Sequence, residues 1–377
     1  MKEGWEYKSL GDVCEILDSR RKPITKNKRE SGTIPYYGAT GILDYVKDYI
    51  FDEKLVLLGE DGAKWGAGEN SAYIVEGKTW VNNHAHALRP KREHLIDELL
   101  VYYLNFANLQ PFITGVTVPK LNQEKMRSIE IPIPPLSEQQ SIVDYLDAAF
   151  AKIDAMKANA EKALNEAKAL FQASLKEMLE PKEGWEEKKL KETAKYRRGS
   201  FPQPYGNKEW YDGEGSMPFV QVAELQEDSF NLVPITKRLI SKIAQPLSVF
   251  VPAGTVLVTL QGSIGKVAIT DYDSYVDRTI AIFQDYKIAV DKTFFAYQLK
   301  IRFEIERLKA RGTTIKTITK EEFANFIINC PPLSEQQSIV ETLDSLKSKV
   351  DRLQENFDKI SQECDALKQA ILRQVFK

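Results

Sequence analysis

The ten-residue string Pro-Pro-Leu-Ser-Glu-Gln-Gln-Ser-Ile-Val occurs twice in this chain, at 134–143 and again at 331–340. Identity over ten consecutive positions indicates duplication, and an internal repeat constrains the architecture more than any single residue does. The start Glu-Gly-Trp-Glu also recurs, at 3–6 and at 183–186. We therefore predict four segments: a lobe at 1–133, a helical segment at 134–180, a second lobe at 181–330 and a second helical segment at 331–377.

Each repeated segment is predicted to be one long helix. Ser137 and Ser334 are expected as N-caps, with Gln140 and Gln337 three residues later reaching back to the cap amides. Downstream, apolar residues recur at alternating steps of four and three over more than four heptads, which is typical of a coiled coil. The predicted interface residues are Ile142, Leu146, Ile153, Met156 and Leu170 in the first helix, and Leu343, Leu346, Val350, Leu353 and Phe357 in the second.

The two heptad patterns differ in side-chain size, with alanines in the middle of the first and larger residues in the second. Large side chains fit into small holes, which favours pairing one helix from each repeat. The heptads alone leave parallel and antiparallel pairing open. Duplication favours the antiparallel choice, because the two halves are then related by a pseudo-twofold axis. One amphipathic helix buried inside each lobe is the alternative, and the heptads are too long for it.

The fold class is predicted to be α+β, with mixed α/β lobes that have a mainly β core. Strand-like stretches come in one order in both lobes: 55–58, 71–75 and 84–88 in the first, and 255–260, 266–269 and 279–283 in the second. Glycine-rich turns follow the first strand of each set, and helical stretches follow at 93–106 and 292–309. Two lobes of one fold with different surfaces imply related tasks on different targets.

Positive charge is concentrated at the same place in both lobes, shortly after the Gly-Trp start. The cations are Arg20, Arg21, Lys22, Lys26, Lys28 and Arg29 in the first lobe, and Lys195, Arg197 and Arg198 in the second. A basic run is usually only a solvated loop, but its recurrence favours a nucleic acid, whose phosphates bind such clusters with release of counterions. Because the net charge is −2, binding is expected through local patches.

Further candidates for DNA contact lie in the glycine-rich turns and after Gly115. They are Lys64, Trp65 and Lys120 in the first lobe, and Ser263, Lys266 and Lys316 in the second. For Trp65 a buried anchor remains an equal alternative, and for the two lysines Lys120 and Lys316 the alternative is an ordinary solvated side chain.

Motifs for catalysis are not apparent in the sequence. The stretch 262–267 resembles a phosphate loop, but it has two residues between its glycines instead of four, and Val267 where Ser or Thr is needed. His84 and His86 could bind a metal, but no third ligand is apparent and structural roles are favoured. The three cysteines have no metal spacing, and no apolar stretch approaches 18 residues. We expect a cytoplasmic protein that makes no membrane contact and binds no metal or cofactor.

Duplicated Pro-Leu-Ser-Glu-Gln-Gln segments leading into long helices, alternating with two diverged lobes that begin Glu-Gly-Trp, resemble the specificity (S) subunit of a type I restriction–modification system. The resemblance covers the whole chain. It implies that each lobe is a target recognition domain reading one half of a split target in double-stranded DNA, and that the helices act as a ruler. Further implied partners are two modification subunits, which carry S-adenosylmethionine and methylate adenine, and a restriction subunit that cleaves unmethylated DNA.

Two other classes of function are weighed against this interpretation. One is a coiled-coil scaffold whose lobes bind peptides or glycans, which the paired basic loops disfavour. The other is a self-contained nuclease or methyltransferase, which lacks a recognisable metal cluster or cofactor loop. DNA binding that strengthens when modification subunits are added would distinguish the first interpretation from both.

Overall fold

The computed structural model describes residues 4–115, 117–227, 229–309 and 318–377, and Lys316 lies outside these residues. The chain divides into two compact units. One unit comprises 1–163 and 355–377, and the other comprises 164–354. Each unit therefore contains one lobe together with part of each repeated helical segment. The lobe limits at 133 and 330 stay a prediction.

The first lobe is a set of short strands with three short helices. Its elements are β1 (Glu6–Ser9), α1 (Leu10–Val13), β2 (Cys14–Ile16), β3 (Ser31–Gly38), β4 (Gly41–Val46), β5 (Phe51–Asp52), β6 (Leu55–Gly59), β7 (Ala72–Val75), β8 (Lys78–Val81), β9 (Ala85–Pro90), α2 (Asp97–Phe106), α3 (Gln123–Arg127) and β10 (Glu130–Ile133). The strands form a two-stranded ribbon β1-β10 and two four-stranded sheets, β2-β9-β6-β7 and β4-β3-β8-β5. In the second of these sheets β3 and β8 are parallel, and the other pairs are antiparallel.

Strand β6 separates two parts of the core of this lobe. Val56 and Leu58 face the cluster that includes α2, whereas Leu55 and Leu57 face the cluster of Phe51 and the second sheet. Side chains of a strand alternate between its two faces, so a strand buried on both faces needs an uninterrupted apolar run. This explains why the sequence 55–58 carries no polar residue.

The second lobe repeats the elements of the first in the same order. These are β11 (Glu186–Lys189), α5 (Leu190–Thr193), β12 (Ala194–Arg198), β13 (Met217–Val220), β14 (Leu239–Ile240), β15 (Val249–Val251), β16 (Val256–Thr259), β17 (Val267–Ile269), β18 (Ser274–Val276), β19 (Ile280–Tyr286), α6 (Lys292–Lys309), α7 (Lys320–Ala324) and β20 (Ile327–Cys330). The ribbon is β11-β20, and the sheets are β12-β19-β16-β17 and β14-β13-β18-β15. The strand orders match those of the first lobe, again with one parallel pair, β13 with β18. The α+β prediction with one fold for both lobes is confirmed.

The repeated segments form two helices of 44 residues each, α4 (Leu136–Leu179) and α8 (Leu333–Phe376). Both begin one residue before the predicted serine caps. The amide of Glu138 donates to the carbonyl of Pro135 (2.8 Å), and Gln140 bonds to Asp144 (2.8 Å). The predicted capping box is wrong, because the helix already contains Ser137 and the side chain of Gln140 bonds to Asp144 instead.

The two helices pack antiparallel in each unit. In the first unit, Lys368 contacts Asp154 (2.6 Å) and Lys157 contacts Asp365 (3.6 Å), so residue numbers rise on α4 as they fall on α8. In the second unit, Lys168 on α4 donates to Gln354 on α8 (2.8 Å), so the residue numbers continue to run in opposite directions. Phe171, Leu175, Leu343 and Val350 belong to one apolar cluster there. Because both units show this pairing, the predicted antiparallel coiled coil is confirmed.

Of the predicted interface residues of α8, Leu343 and Val350 are buried and Leu346 packs against the same cluster, while Leu353 and Phe357 are half-buried. Two of the predicted residues on α4 lie outside its packed face. Leu146 and Ile153 are buried, and Ile142 packs against the same core, whereas Met156 is 58% exposed and Leu170 is 60% exposed. The packed positions are one residue later, at Lys157 and Phe171. Because Lys157 occupies an interface position, the apolar pattern of the sequence assigned the wrong residues to the interface of α4. The aliphatic stem of a lysine can cover apolar surface while its ammonium group reaches an acceptor.

A duplicated set of hydrogen bonds attaches each helix to its lobe. Trp5 Nε1 donates to Glu138 (3.0 Å), as Trp185 Nε1 does to Glu335 (3.1 Å). Gln139 is fully buried, and its repeat Gln336 is 2% exposed. These contacts explain why the Glu-Gly-Trp starts and the Ser-Glu-Gln-Gln strings recur together. Among the described residues, no helix is both long and apolar enough to cross a membrane.

Candidate nucleic-acid interface

The arginines of the basic stretch 20–29 are held against the first lobe. Arg20 donates to the carbonyl of Ile50 (2.9 Å), and its guanidinium lies 4.5 Å from the ring centre of Phe51. Arg29 pairs with Asp44 (3.0 Å) and lies 4.4 Å from the ring centre of Tyr36. Planar guanidinium groups pair with carboxylates and stack on aromatic rings, so these arginines shape the loop.

The lysines of the same stretch, Lys22, Lys26 and Lys28, are exposed instead. None of them forms an ion pair with a residue that the structure describes. The indole of Trp80 donates to the carbonyl of Lys22 (2.6 Å), which ties the loop to β8. These lysines are therefore available to an external phosphate, and Arg20, whose side chain is 46% exposed, stays a predicted contact beside them.

Arg21 belongs to an ion cluster that is buried at Glu60 and His86 and partly exposed at its other members. Its side chain is 11% exposed and contacts Asp18 (3.2 Å) and Glu60 (2.5 Å). Lys120 pairs with the other oxygen of Glu60 (2.6 Å). The predicted DNA contact at Arg21 is corrected, because its largely buried guanidinium is held by two carboxylates. The ammonium of Lys120 also bonds to a carboxylate, but its side chain is 43% exposed, so its DNA contact stays a prediction.

His86 completes this cluster from strand β9. It is 1% exposed; Nδ1 lies 2.6 Å from a carboxylate oxygen of Asp18, and Nε2 lies 2.7 Å from the carbonyl of Leu121. Each ring nitrogen of His86 therefore faces an oxygen atom of a different segment. His84, two residues earlier, is half-exposed and pairs with Asp61.

The electrostatics of the cluster favour the charged carboxylates. Burial raises the pKa of Asp18, but the hydrogen bond and charge of His86 and the charge of Arg21 outweigh it, so the pKa lies below its ordinary value. Burial likewise raises the pKa of Glu60, and the hydrogen bonds from Lys120 and Arg21 bring it below its ordinary value. Both carboxylates are thus stabilised as anions inside the lobe.

The same cluster offers three possible metal ligands, Asp18, Glu60 and His86, whose ligand atoms lie within 4.8 Å of one another. A metal ligand must present a free lone pair. Here Arg21 and Lys120 occupy the oxygens of Glu60, and both ring nitrogens of His86 have acceptors as neighbours. The arrangement is a closed ion network and does not fit a metal site.

Trp65 is also a structural residue. It is 4% exposed, and its Nε1 donates to the carbonyl of Gly59 (2.9 Å), closing the glycine-rich turn. Gly68 in this turn has φ +85°, a conformation that favours glycine. The prediction of a DNA contact at Trp65 is corrected to the buried anchor that was its alternative, while Lys64 in the same turn is exposed.

In the second lobe the predicted cations differ in their surroundings. Arg197 and Arg198 at the end of β12 are exposed, and neither forms an ion pair within the described ranges. Lys195 is exposed and pairs with Asp285 (3.1 Å). Lys266 is half-buried and donates to the carbonyl of Leu225 (3.1 Å), whereas Ser263 is exposed at the tip of its turn.

The structure also shows exposed arginines that the sequence did not single out. Arg238 lies 4.5 Å from the ring centre of Tyr211, and Arg278 lies 5.3 Å from that of Tyr205. Each pair joins residues that are far apart in sequence, so no local pattern could have revealed it. Their stacking orders the guanidinium groups at the surface of the second lobe.

The structure has two lobes of one fold, and each lobe has exposed cations near the end of an equivalent strand. This arrangement is expected of a duplicated DNA-specificity protein. Comparison of the sequence with family models matches residues 2–166 and 182–362 to the type I restriction modification DNA specificity domain. The chain belongs to this family.

Individual relatives agree with the family assignment. A putative type I restriction enzyme specificity subunit of Haemophilus influenzae is 29% identical over 361 residues, covering 91% of this chain and 88% of that protein. The fold is also similar to a chain in a structure of a type I R-M system, with a TM-score of 0.75, 21% identity and coverage of 100% and 98% of the two chains. The HsdS subunit from Thermoanaerobacter tengcongensis gives a TM-score of 0.60 at 21% identity, with coverage of 100% and 97%.

Proposed function

We propose that this chain is the DNA-recognition subunit of a type I restriction–modification complex and that each lobe reads one half of a bipartite target. Two modification subunits, carrying S-adenosylmethionine, methylate adenine in that target, and restriction subunits, where present, cleave DNA that lacks the mark. The chain itself contributes recognition and holds no cofactor. It acts in the cytoplasm, on the DNA that carries its target.

The observation that carries this proposal is the repetition of one fold with two different surfaces. The strand orders of the sheets are the same in the two lobes, while the residues near the ends of β2 and β12 differ in identity and in partners. Exposed Lys22, Lys26 and Lys28 on one lobe and Arg197 and Arg198 on the other supply phosphate contacts, which position a protein on the duplex. Two lobes that share one fold but differ in surface residues are suited to bind two different half-sites.

The long helices support the role of a ruler. Each contains 44 residues, and each is attached to its lobe by the duplicated tryptophan and glutamine bonds. A helix rises about 1.5 Å per residue, so its length changes only by insertion or deletion. Half-sites read from one face of the duplex are separated by about 10 bp or a multiple of it.

Mapping of methylated adenines tests the proposal. The chain is expressed with its modification subunits in cells that lack other adenine methylation, and methylated positions are located across the genome. A split motif with a constant spacer is expected, and omission of this chain should abolish it. Methylation without a split motif, or unchanged methylation when the chain is omitted, would contradict the proposal. A coiled-coil scaffold for peptides or glycans would leave the DNA unmarked.

A further inference from the structure

The ion cluster of the first lobe joins three segments that carry predicted DNA contacts. Asp18 and Arg21 begin the basic loop, and Glu60 begins the glycine-rich turn that carries Lys64. Lys120 follows the segment that starts at Gly115. These segments are separated by about 40 to 60 residues in sequence, yet one cluster bonds them to one another.

His86 bonds to both sides of the cluster, as Glu60 does through Arg21 and Lys120. Its Nδ1 contacts Asp18 at the basic loop, and its Nε2 contacts the carbonyl of Leu121 at the end of the third segment. The amide of Leu121 in turn donates to the carbonyl of Glu60 (2.8 Å). The imidazole sits on the central sheet, on strand β9, so it ties two loops to the rigid part of the lobe.

The described residues of the second lobe at the positions equivalent to Glu60 and His86 are apolar. In the first lobe Leu58 of β6 is paired with His86 of β9, and in the second lobe Val258 of β16 is paired with Ala281 of β19. The residue two positions after Leu58 is Glu60, and two positions after Val258 is Leu260. At the described positions that match Glu60 and His86, the second lobe therefore has no group that could form such a cluster.

We propose that His86 is a positioning residue for half-site recognition by the first lobe: it sets the relative positions of the basic loop, the glycine-rich turn and the segment before Leu121. The inference rests on the proposed function, in which each lobe reads one half-site. The second lobe has Leu260 and Ala281 at the positions of Glu60 and His86, so it provides an internal comparison. His86 is buried and touches no DNA in this arrangement.

The physical basis is the difference between phosphate and base contacts. Phosphate contacts tolerate small displacements of a loop, because they depend mainly on charge. Base contacts depend on directed hydrogen bonds, which weaken steeply when donor and acceptor are misaligned. Loosening the cluster should therefore reduce discrimination at the first half-site more than it reduces overall affinity.

The experiment uses the complex of the full chain with its modification subunits. His86→Gln retains a polar side chain but cannot donate to Asp18 and Leu121 as the ring does, and Asp18→Asn is a milder second variant. His94→Gln is the matched control, since His94 is exposed and outside the cluster. Exchange of residues 1–133 for the lobe of a relative defines which half-site the first lobe reads.

The measurement compares methylation of DNA with one mismatch in either half-site against the intact target. For His86→Gln, methylation at first-half mismatches should rise about tenfold relative to the intact target, while that at second-half mismatches stays unchanged. Asp18→Asn should also raise methylation at first-half mismatches, and its thermal unfolding should remain cooperative. This variant therefore tests the proposal even if His86→Gln fails to fold. His94→Gln should match the unmodified chain.

Two kinds of failure are distinguishable. If the complex of the unmodified chain methylates no split motif, the proposed function is wrong, and the inference about His86 is then wrong as well. If the motif is present but both cluster variants relax the two half-sites equally, or leave the first half-site as faithful as before, then His86 is only a stabilising residue and the inference is overturned.

Discussion

The side-chain oxygen of Gln139 accepts a hydrogen bond from the backbone amide of Ile96 (2.9 Å), at the first turn of helix α2. Its amide nitrogen donates to the carbonyls of His94 (2.7 Å) and Pro134 (2.8 Å). Gln336 repeats the arrangement in the second lobe, with the amide of Asp291 (2.9 Å) as donor. One side chain thus satisfies an otherwise unpaired amide at a helix start and holds a long helix to its lobe.

Replacing Gln139 with alanine should destabilise the first unit by about 1–3 kcal/mol, because buried backbone groups lose their partners. Urea unfolding followed by circular dichroism measures the loss. Gln140→Ala is the matched control: the side chain is adjacent and exposed, and its removal should change the free energy of unfolding by less than about 0.5 kcal/mol. Equal effects of the two changes would contradict the assigned role of Gln139.

The packed face of the helix pair gives a second test. Leu343 is fully buried, so Leu343→Asp places a lone carboxylate in the apolar cluster and should cost several kcal/mol. Leu170→Asp introduces the same charge at a site that is 60% exposed and should be tolerated. Thermal unfolding measures the loss of stability in each variant. A larger loss for Leu170→Asp would mean that Leu170 lies in the helix interface, as the sequence predicted.

The lowered pKa values of Asp18 and Glu60 predict acid sensitivity of the first lobe. A carboxylate whose pKa is lower in the folded than in the unfolded state stabilises the fold above the unfolded value, and loses that contribution as pH falls through the folded value. The ordinary values are 3.8 for Asp18 and 4.5 for Glu60, so the loss should begin below these pH values. Denaturant titrations at several pH values measure it.

Glu60→Gln provides the comparison for this pH dependence. The variant should be less stable than the unmodified chain at neutral pH, because Lys120 and Arg21 lose a charged partner. It should also lose less stability on acidification, since one of the titrating groups is gone. An unchanged dependence on pH would show that Glu60 is not coupled to folding.

The exposed lysines of the basic loop should carry salt-dependent affinity. Changing Lys22, Lys26 and Lys28 together to glutamine should lower the slope of log affinity against log salt by about 2.7, at about 0.9 per phosphate contact. Changing Lys152, Lys176 and Lys349 on the long helices removes the same charge and should leave the slope unchanged. Fluorescence anisotropy with target DNA at several salt concentrations gives both slopes, and equal slopes would exclude the loop from the interface.

Exchange of a whole lobe tests independent reading. Replacing residues 1–133 by the lobe of a relative should alter one half of the methylated motif and preserve the other half and the spacer. Inserting seven residues into α4 and seven into α8 should lengthen the spacer and preserve both halves, because the packed face is kept in phase. A lobe exchange that alters both halves together would contradict independent reading.

Local patterns in the sequence predicted several parts of the fold well. The strands around 55–58 and 255–260 and the helix 292–309 appear where the apolar runs indicated. The duplication gave the order of lobes and helices, because a repeated string marks repeated structure wherever it occurs. The heptads of α8 correctly placed Leu343, Leu346 and Val350 on its packed face.

The sequence by itself determined the duplication, the two long helices and the family, because those depend on residues close together in the chain or repeated along it. Only the tertiary structure decided which cations are available to DNA. Arg21 and Lys22 are neighbours, yet the first is largely buried against Glu60 and the second is exposed. That outcome depends on a carboxylate 39 residues away from Arg21 and on His86 further along the chain. Charge is a property of the residue, whereas its availability is set by partners that only folding brings together.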